Sequence, residues 1–201
     1  MPNWCSNSLT IEGPDADAFL DSITFDHGKF SRLFNRFVPM PEELDIMNGR
    51  AYINGKRVER WRYDSDGEKV AVPEDELEAI RAKFGTDSWY HWSIGNWGTK
   101  WDTDGSRFGN RLVFDTPWSP PLPFVEKLSR QYPQLTFTLA YAEGGEGFFG
   151  TYVVSNGEVA ENEVSKAFYK KNADFDSSNY EDYLTAKVIE HLDRYGLHEG
   201  G

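Results

Sequence analysis

Two segments far apart in the chain alternate with period two. Cys5, Asn7, Leu9 and Ile11 alternate with Trp4, Ser6, Ser8 and Thr10, and Leu135, Phe137, Leu139 and Tyr141 alternate with Thr136, Thr138, Ala140 and Ala142. Successive side chains of a strand point to opposite faces, so each segment has one apolar face for a core and a second that is nearly uncharged. Each is tied to a helix signal. After the first come Gly13 and Pro14, then Asp15 and Asp17 at the electropositive helix start, then the apolar face Phe19, Leu20 and Ile23. Before the second come four prolines, the helical positions Phe124, Val125 and Leu128, and Pro133 as a stop. Strands covered on one side by helices restrict the chain to a mixed α+β sandwich.

Between these units the pattern is less regular. Phe30, Leu33, Phe34 and Phe37 have helical spacing up to Pro39 and Pro41; Leu77, Ile80 and Phe84 define a further helix between Pro73 and Gly85. Asn54-Gly55 and Asp66-Gly67 are the dipeptides of tight hairpin turns, which tolerate positive φ. Residues 25–88 therefore read as an insertion with two helices and a small hairpin. "RLVFDT" (111–116) is a strand, and "FFGTYVVSNGEVAEN" turns at Asn156-Gly157 into a final hairpin. Tyr180, Tyr183, Leu184, Val188, Leu192 and Tyr195 recur near helical period, which predicts a last helix ending at Gly196 with its aromatic face on the body. The order of elements suggests an antiparallel sheet of the ferredoxin-like kind with helices on one face.

Aromatic residues make up 15% of the 201 residues, which points to an aromatic core rather than a disordered chain. The 21 basic and 33 acidic residues give a net charge of -12. Such a surface repels phosphate backbones and anionic headgroups, so direct nucleic-acid binding and membrane association are disfavoured and a basic protein surface is attracted. One cysteine excludes an intramolecular disulfide and a multi-cysteine zinc site, and no apolar run approaches a bilayer-spanning length. A reducing cytoplasm is the expected setting. The histidines, His27, His91, His191 and His198, form no metal-ligand spacing, and neither metal nor cofactor is expected. Cys5 shares a face with Leu9 and Ile11 and reads as a buried, inert thiol, while Asn7 on that face needs hydrogen-bond partners.

"WYHWSIGNWGTKWD" (89–102) holds four of the seven tryptophans. Gly98 permits a bend, and in an extended segment Lys100 and Asp102 share a side with Trp101 between them. Ring faces beside an ammonium and a carboxylate could hold a planar ligand; the competing reading is a glycine-containing strand whose indoles fill the core. "TPWSPPLP" reads as a rigid connector that packs Trp118 into the body. Glu143 opens "EGGEGFFG", which lacks the Lys-Ser/Thr of a phosphate-binding loop and leads into a strand. The candidate ligand or partner surface is Trp97, Lys100, Trp101, Asp102, Trp118 and Glu143. A second candidate is the acidic face of the last helix, Glu181, Asp182, Glu190 and Asp193, as a stand-in for phosphates on a partner.

"MPNWCSNSLTIEGP", "WSIGNWGTKWD", "FDTPWSPPLPFVEKLSRQYPQLTFTLAYAE" and "GGEGFFG" resemble the YubB-type proteins of bacteriophages and plasmids. The resemblance covers 1–24 and 89–152, is loose over 25–88 and leaves the tail after about 165 unmatched. It implies a ferredoxin-like domain and a mobile-element setting without catalytic residues; together with the periodicity above, the chain reads as that domain over 1–165 with the insertion at 25–88, and a helical extension over 166–201. The resulting expectation is a non-catalytic acidic binding protein that inhibits or sequesters a host protein or nucleoprotein complex, with a small nucleotide-like ligand as a further possible partner. The alternative is a small hydrolase or nucleotide-modifying enzyme with Glu143 or Asp102 as base and Lys100 as anion stabiliser.

Overall fold

The computed structural model describes residues 2–145 and 147–166. The expected last helix, with Glu181, Asp182, Glu190 and Asp193, lies outside them. The chain forms two compact units, Met1–Val38 with Trp97–Gly201, and Pro39–Asn96.

The first unit opens with β1 (Trp4–Glu12), α1 (Ala16–Ile23), β2 (Lys29–Phe30) and α2 (Leu33–Phe37). The second unit contains β3 (Met47–Ile53), β4 (Lys56–Tyr63), β5 (Lys69–Ala71), α3 (Glu74–Phe84) and all but the last residue of α4 (Trp89–Trp97). The chain then returns to the first unit through β6 (Gly105–Phe108), β7 (Arg111–Pro117), α5 (Leu122–Gln131), β8 (Thr136–Glu143), β9 (Phe148–Ser155) and β10 (Glu158–Lys166).

Seven strands make one sheet in the order β10-β9-β8-β1-β7-β6-β2. Its centre, β8-β1-β7-β6, with α1 after β1 and α5 between β7 and β8, is the antiparallel split-βαβ arrangement of a ferredoxin-like domain. The alternation seen in sequence fixes the register. Leu9 pairs with Leu112 on one side and Leu139 on the other, so one apolar row crosses three strands. Onto that face α1 brings Phe19, Leu20 and Ile23, α2 brings Leu33 and Phe34, and α5 brings Phe124, Val125 and Leu128, all buried. Rings link the layers: Phe19 meets Tyr132 edge-on at 4.7 Å, and Phe34 lies 4.6 Å from Phe124 and 6.0 Å from Phe114. Burial of each such side chain contributes about 1.5–3 kcal/mol.

The second unit is a three-stranded antiparallel sheet, β3-β4-β5, with α3 and α4. Asn54 and Gly55 take φ of 50° and 75°, the tight turn expected of that pair. Arg62 to Glu76 and Arg60 to Asp87 are ion pairs within this unit. The insertion differs from expectation in two ways. β2 and α2 belong to the first unit, because Phe30 and Phe34 pack on Phe114; and three strands form where one hairpin was read.

Tyr141 on β8 faces the buried side beside Asn7, its register partner on β1. Burial, then the nearby Cys5, pushes its phenol from 10.0 up to about 12. A group that holds its proton more tightly when folded contributes stability that is complete below its unfolded pKa and lost as pH rises through the folded one. Denaturation in urea should show stability falling between pH 10 and about 12, with a shallower fall in Tyr141→Phe.

Candidate functional site

Three indoles meet at one end of the large sheet. Trp4 begins β1 with the opposite parity to Cys5, and so lies on the face away from the helices. Trp101 follows α4 in an irregular segment, and Trp118 lies in the connector after β7. These three are 51%, 41% and 44% exposed, whereas Trp97 is 4% exposed. The Trp101 ring lies 6.4 Å from Trp4 and 6.1 Å from Trp118, tilted by 45° and 41°, so the three form an arc with Trp101 at its middle. The Lys100 ammonium stands 4.6 Å over the Trp101 ring and 5.5 Å over the Trp118 ring.

The backbone that presents these rings is over-determined. Trp118 has φ of 64°, the left-handed region that L-residues with bulky side chains rarely enter. Its N–H donates to Asn3 O at 2.9 Å. The next residue is gripped from both sides: Thr116 Oγ1 donates to Ser119 O at 2.7 Å, and Ser119 Oγ donates to Gly98 O at 2.7 Å. Thr99 Oγ1 donates to Pro117 O at 3.1 Å. The connector is thus latched to the Gly98–Thr99 turn. Gly98 itself has φ of 85°, and a Cβ there would stand 2.5 Å from Pro123 Cδ, so glycine is required on both counts.

Asp102 does a different job. One oxygen accepts the Phe34 N–H at 2.7 Å and the Thr103 N–H at 2.8 Å, the other the Asn35 N–H at 3.1 Å. Asp104 accepts the Arg32 N–H at 2.8 Å. Two aspartates therefore cap α2, whose own preceding residue, Arg32, gives no side-chain cap. Burial raises the Asp102 carboxyl above the ordinary aspartate range, against the lowering effect of the three N–H donors. This carboxylate is occupied by backbone donors, not presented beside Trp101.

Trp97 closes α4 and points into the interior: its Nε1 donates to Val38 O at 2.8 Å, and its ring lies 5.9 Å from Phe34. The stretch expected as extended is helical through Trp97, because Ser88 opens the turn below Trp92, Ser93 Oγ bonds back to Trp89 O, and Gly98 ends it with positive φ. Glu143 pairs with Cys5 across the sheet, so it faces the helix side, the face opposite Trp4; it is buried and accepts the Gly145 N–H at 2.9 Å. Burial, then the Glu143 and Asp115 charges, drives the Cys5 thiol far up, leaving it an inert core group. His91 belongs to the second unit, Asp102 and Glu143 to the first. Among the described residues no cluster of histidine, cysteine and carboxylate could hold a metal, and no helix is long and apolar enough to cross a membrane.

Of the six residues expected at the surface, the structure brings Lys100, Trp101 and Trp118 together, gives Trp97 to the core, and uses Asp102 as a cap and Glu143 in the interior. Trp4 was missed. Its signal was present: a large apolar residue on the otherwise polar parity of β1. The arc can bind planar groups. An ammonium on an exposed indole contributes about 0.5–1 kcal/mol, and a ring stacked on an aromatic about 1–3 kcal/mol.

The sequence model of a family described as the ferredoxin-like domain in Api92-like protein matches residues 96–181. That span holds α5, β7 and β8, in agreement with the ferredoxin-like core. A crystal structure of protein api92 from Yersinia pseudotuberculosis is similar at a TM-score of 0.45 and 12% identity, over 82% of this chain and 98% of that one. No curated protein matches the chain.

Asp102→Ala removes a cap with three donors and should cost about 1–2 kcal/mol in chemical denaturation. Trp118→Gly removes the left-handed penalty along with an exposed ring, and its stability should stay within about 1 kcal/mol of the parent.

Proposed function

We propose that this protein is a non-catalytic binding module, and that the indole arc of Trp4, Trp101 and Trp118 with Lys100 is its recognition surface. The observation that carries the reading is Trp118. An exposed tryptophan held in a left-handed backbone by hydrogen bonds on both sides adds nothing to a core, and such strain concentrates where residues contact ligands. Tryptophan is also the residue that most often anchors an interface, because one ring supplies a large rigid area at little entropic cost.

The mobile-element setting rests on the resemblance of the sequence motifs to phage and plasmid proteins. In that setting the module inhibits or sequesters a host component, a defence factor or a nucleic-acid-processing complex. The net charge of -12 supports a partner with a basic surface. Glu181, Asp182, Glu190 and Asp193 belong to this reading as phosphate mimics. The enzymatic alternative is less well supported: Asp102 is committed to α2, and Glu143 faces the helix side of the sheet.

Capture from host lysate with the tagged protein should be lost in the Trp101→Ala, Trp118→Gly double variant while Glu143→Gln retains it. Retention in the double variant, with loss in the quadruple charge reversal of the last acidic set, would move recognition from the arc to the tail. Turnover of a captured small molecule that Glu143→Gln abolishes would replace binding by catalysis.

A further inference from the structure

We infer that the open face of the small sheet, β3-β4-β5, binds a short single strand of nucleic acid, with bases on Tyr52 and Tyr63 and phosphates on the cations between them. The site lies wholly within the second unit and is independent of the indole arc. The chain carries a net charge of -12, yet these three strands hold Arg50, Lys56, Arg57, Arg60, Arg62 and Lys69 against a single acid, Glu59. Two of the six are tied to the other side: Arg62 pairs with Glu76 of α3 and Arg60 with Asp87, which turns the even-numbered side chains of β4 toward the helix. The odd-numbered side is open. Tyr52, the register partner of Arg57, is 71% exposed, and Tyr63, the register partner of Lys69, is 54% exposed. Trp61 braces Tyr63, edge-on at 5.3 Å, with its own Nε1 donating to Gly49 O at 3.1 Å and the Lys69 ammonium 4.6 Å over its ring.

The order of groups along this face selects the partner. Tyr52, level with Arg57, and Tyr63 mark its ends, about 20 Å apart at 3.4 Å per residue of β4. Arg57 Nε donates to Glu59 Oε1 at 2.9 Å; that bond first, and the Arg50 charge more weakly, hold the Glu59 carboxyl below its usual range, so the one acid of the face is matched by its neighbours. Ring, cations, ring suits a polymer that alternates planar bases with single negative charges, and a base stacks on a phenol whatever its sequence. An acidic peptide would use the cations and leave both exposed rings idle, and a duplex keeps its bases out of reach. A folded partner is disfavoured by area: three strands of at most eight residues present about 400 Å², half of the roughly 800 Å² that each side of a stable protein interface buries. Charges more than about 8 Å away are screened at physiological ionic strength, so the local cations rather than the net charge set the field here. Acid returns only past Tyr63, where Asp64, Asp66 and Glu68 lie in the turn to β5. That turn stops a strand and keeps the site to about four nucleotides, the low end of single-strand platforms.

Fluorescence anisotropy of the full chain with a labelled single-stranded octanucleotide, the same sequence as a duplex, and an oligoglutamate peptide tests this. The single strand should bind more tightly than either rival, and its affinity should fall about tenfold between about 50 and 200 mM salt, as two or three neutralised phosphates require. Tyr52→Ala and Tyr63→Ala should each weaken binding about tenfold or more, and Arg50→Gln and Lys69→Gln should each flatten the salt dependence, all with thermal unfolding unchanged. Phe25→Ala, which removes a comparably exposed ring of the first unit, should leave binding as it was. Tighter binding of the duplex, an equal loss in Phe25→Ala, or no binding by folded wild-type protein at the lower salt would overturn the inference. Tighter binding of oligoglutamate would also overturn it, and would assign the face to an acidic protein segment. Partner capture through Trp101 and Trp118 is a separate readout that none of these results alters.

Discussion

The buried amide of Asn7 is the interaction on which the rest of the molecule turns. A carboxamide in the middle of a sheet costs several kcal/mol unless its donors are matched. Here Nδ2 donates to Cys5 O at 2.7 Å and to Thr116 Oγ1 at 2.9 Å, which joins β1 to β7 at the level where the apolar row gives way to polar side chains. Because the Thr116 hydroxyl accepts from Asn7, its own proton is directed to Ser119 O, and Ser119 in turn holds Gly98. A four-residue relay therefore runs from the interior of the sheet to the turn below Trp101. The strained residue Trp118 lies between Thr116 and Ser119 in this relay, and the bonds on both sides of it offset the cost of its φ.

The opposite half of the domain depends on rings rather than amides. Phe34 touches Trp97, Phe114 and Phe124, so α2, the end of α4, β7 and α5 share one residue at their centre. Asp102 and Asp104 hold the start of α2 in place from the far side of the second unit in sequence. The segment from Gly98 to Asp104 is thus pinned at both ends, to the proline connector at one and to α2 at the other. Trp101 projects from between the two anchors.

Elements whose signals are local were legible in the sequence. β1, β8, α1, α3, α5 and both Asn-Gly hairpins followed directly from period and punctuation, and α3 ends at Gly85 with φ of 76° as its sequence indicates. What was hidden is non-local. The cap of α2 comes from Asp102, sixty-eight residues further along, so no window of sequence contains it. The helix α4 was obscured because Trp89, Trp92 and Trp97 with intervening polar residues give no clean apolar stripe. At the site, tryptophan type and the Trp-Lys adjacency picked out Trp101, Lys100 and Trp118, which the fold brings together, while their sorting from Trp97 required knowing that the helix ends at Gly98. Trp4 joined them through strand pairing, with Trp4 opposite Pro117, a relation between residues more than a hundred positions apart.

The latching of Trp118 also bears on how firmly anything could be held there. Association loses freedom in the contact side chains and in the loops that carry them. Here the loop's share was spent when the chain folded, since the connector has one conformation that satisfies Asn3, Thr116, Ser119 and Gly98 together. Whatever binds there would meet a backbone already set. Recognition by such a surface is closer to a printed plate meeting paper than to two hands closing, so changes that loosen the relay should act through residence time while the indoles themselves are untouched.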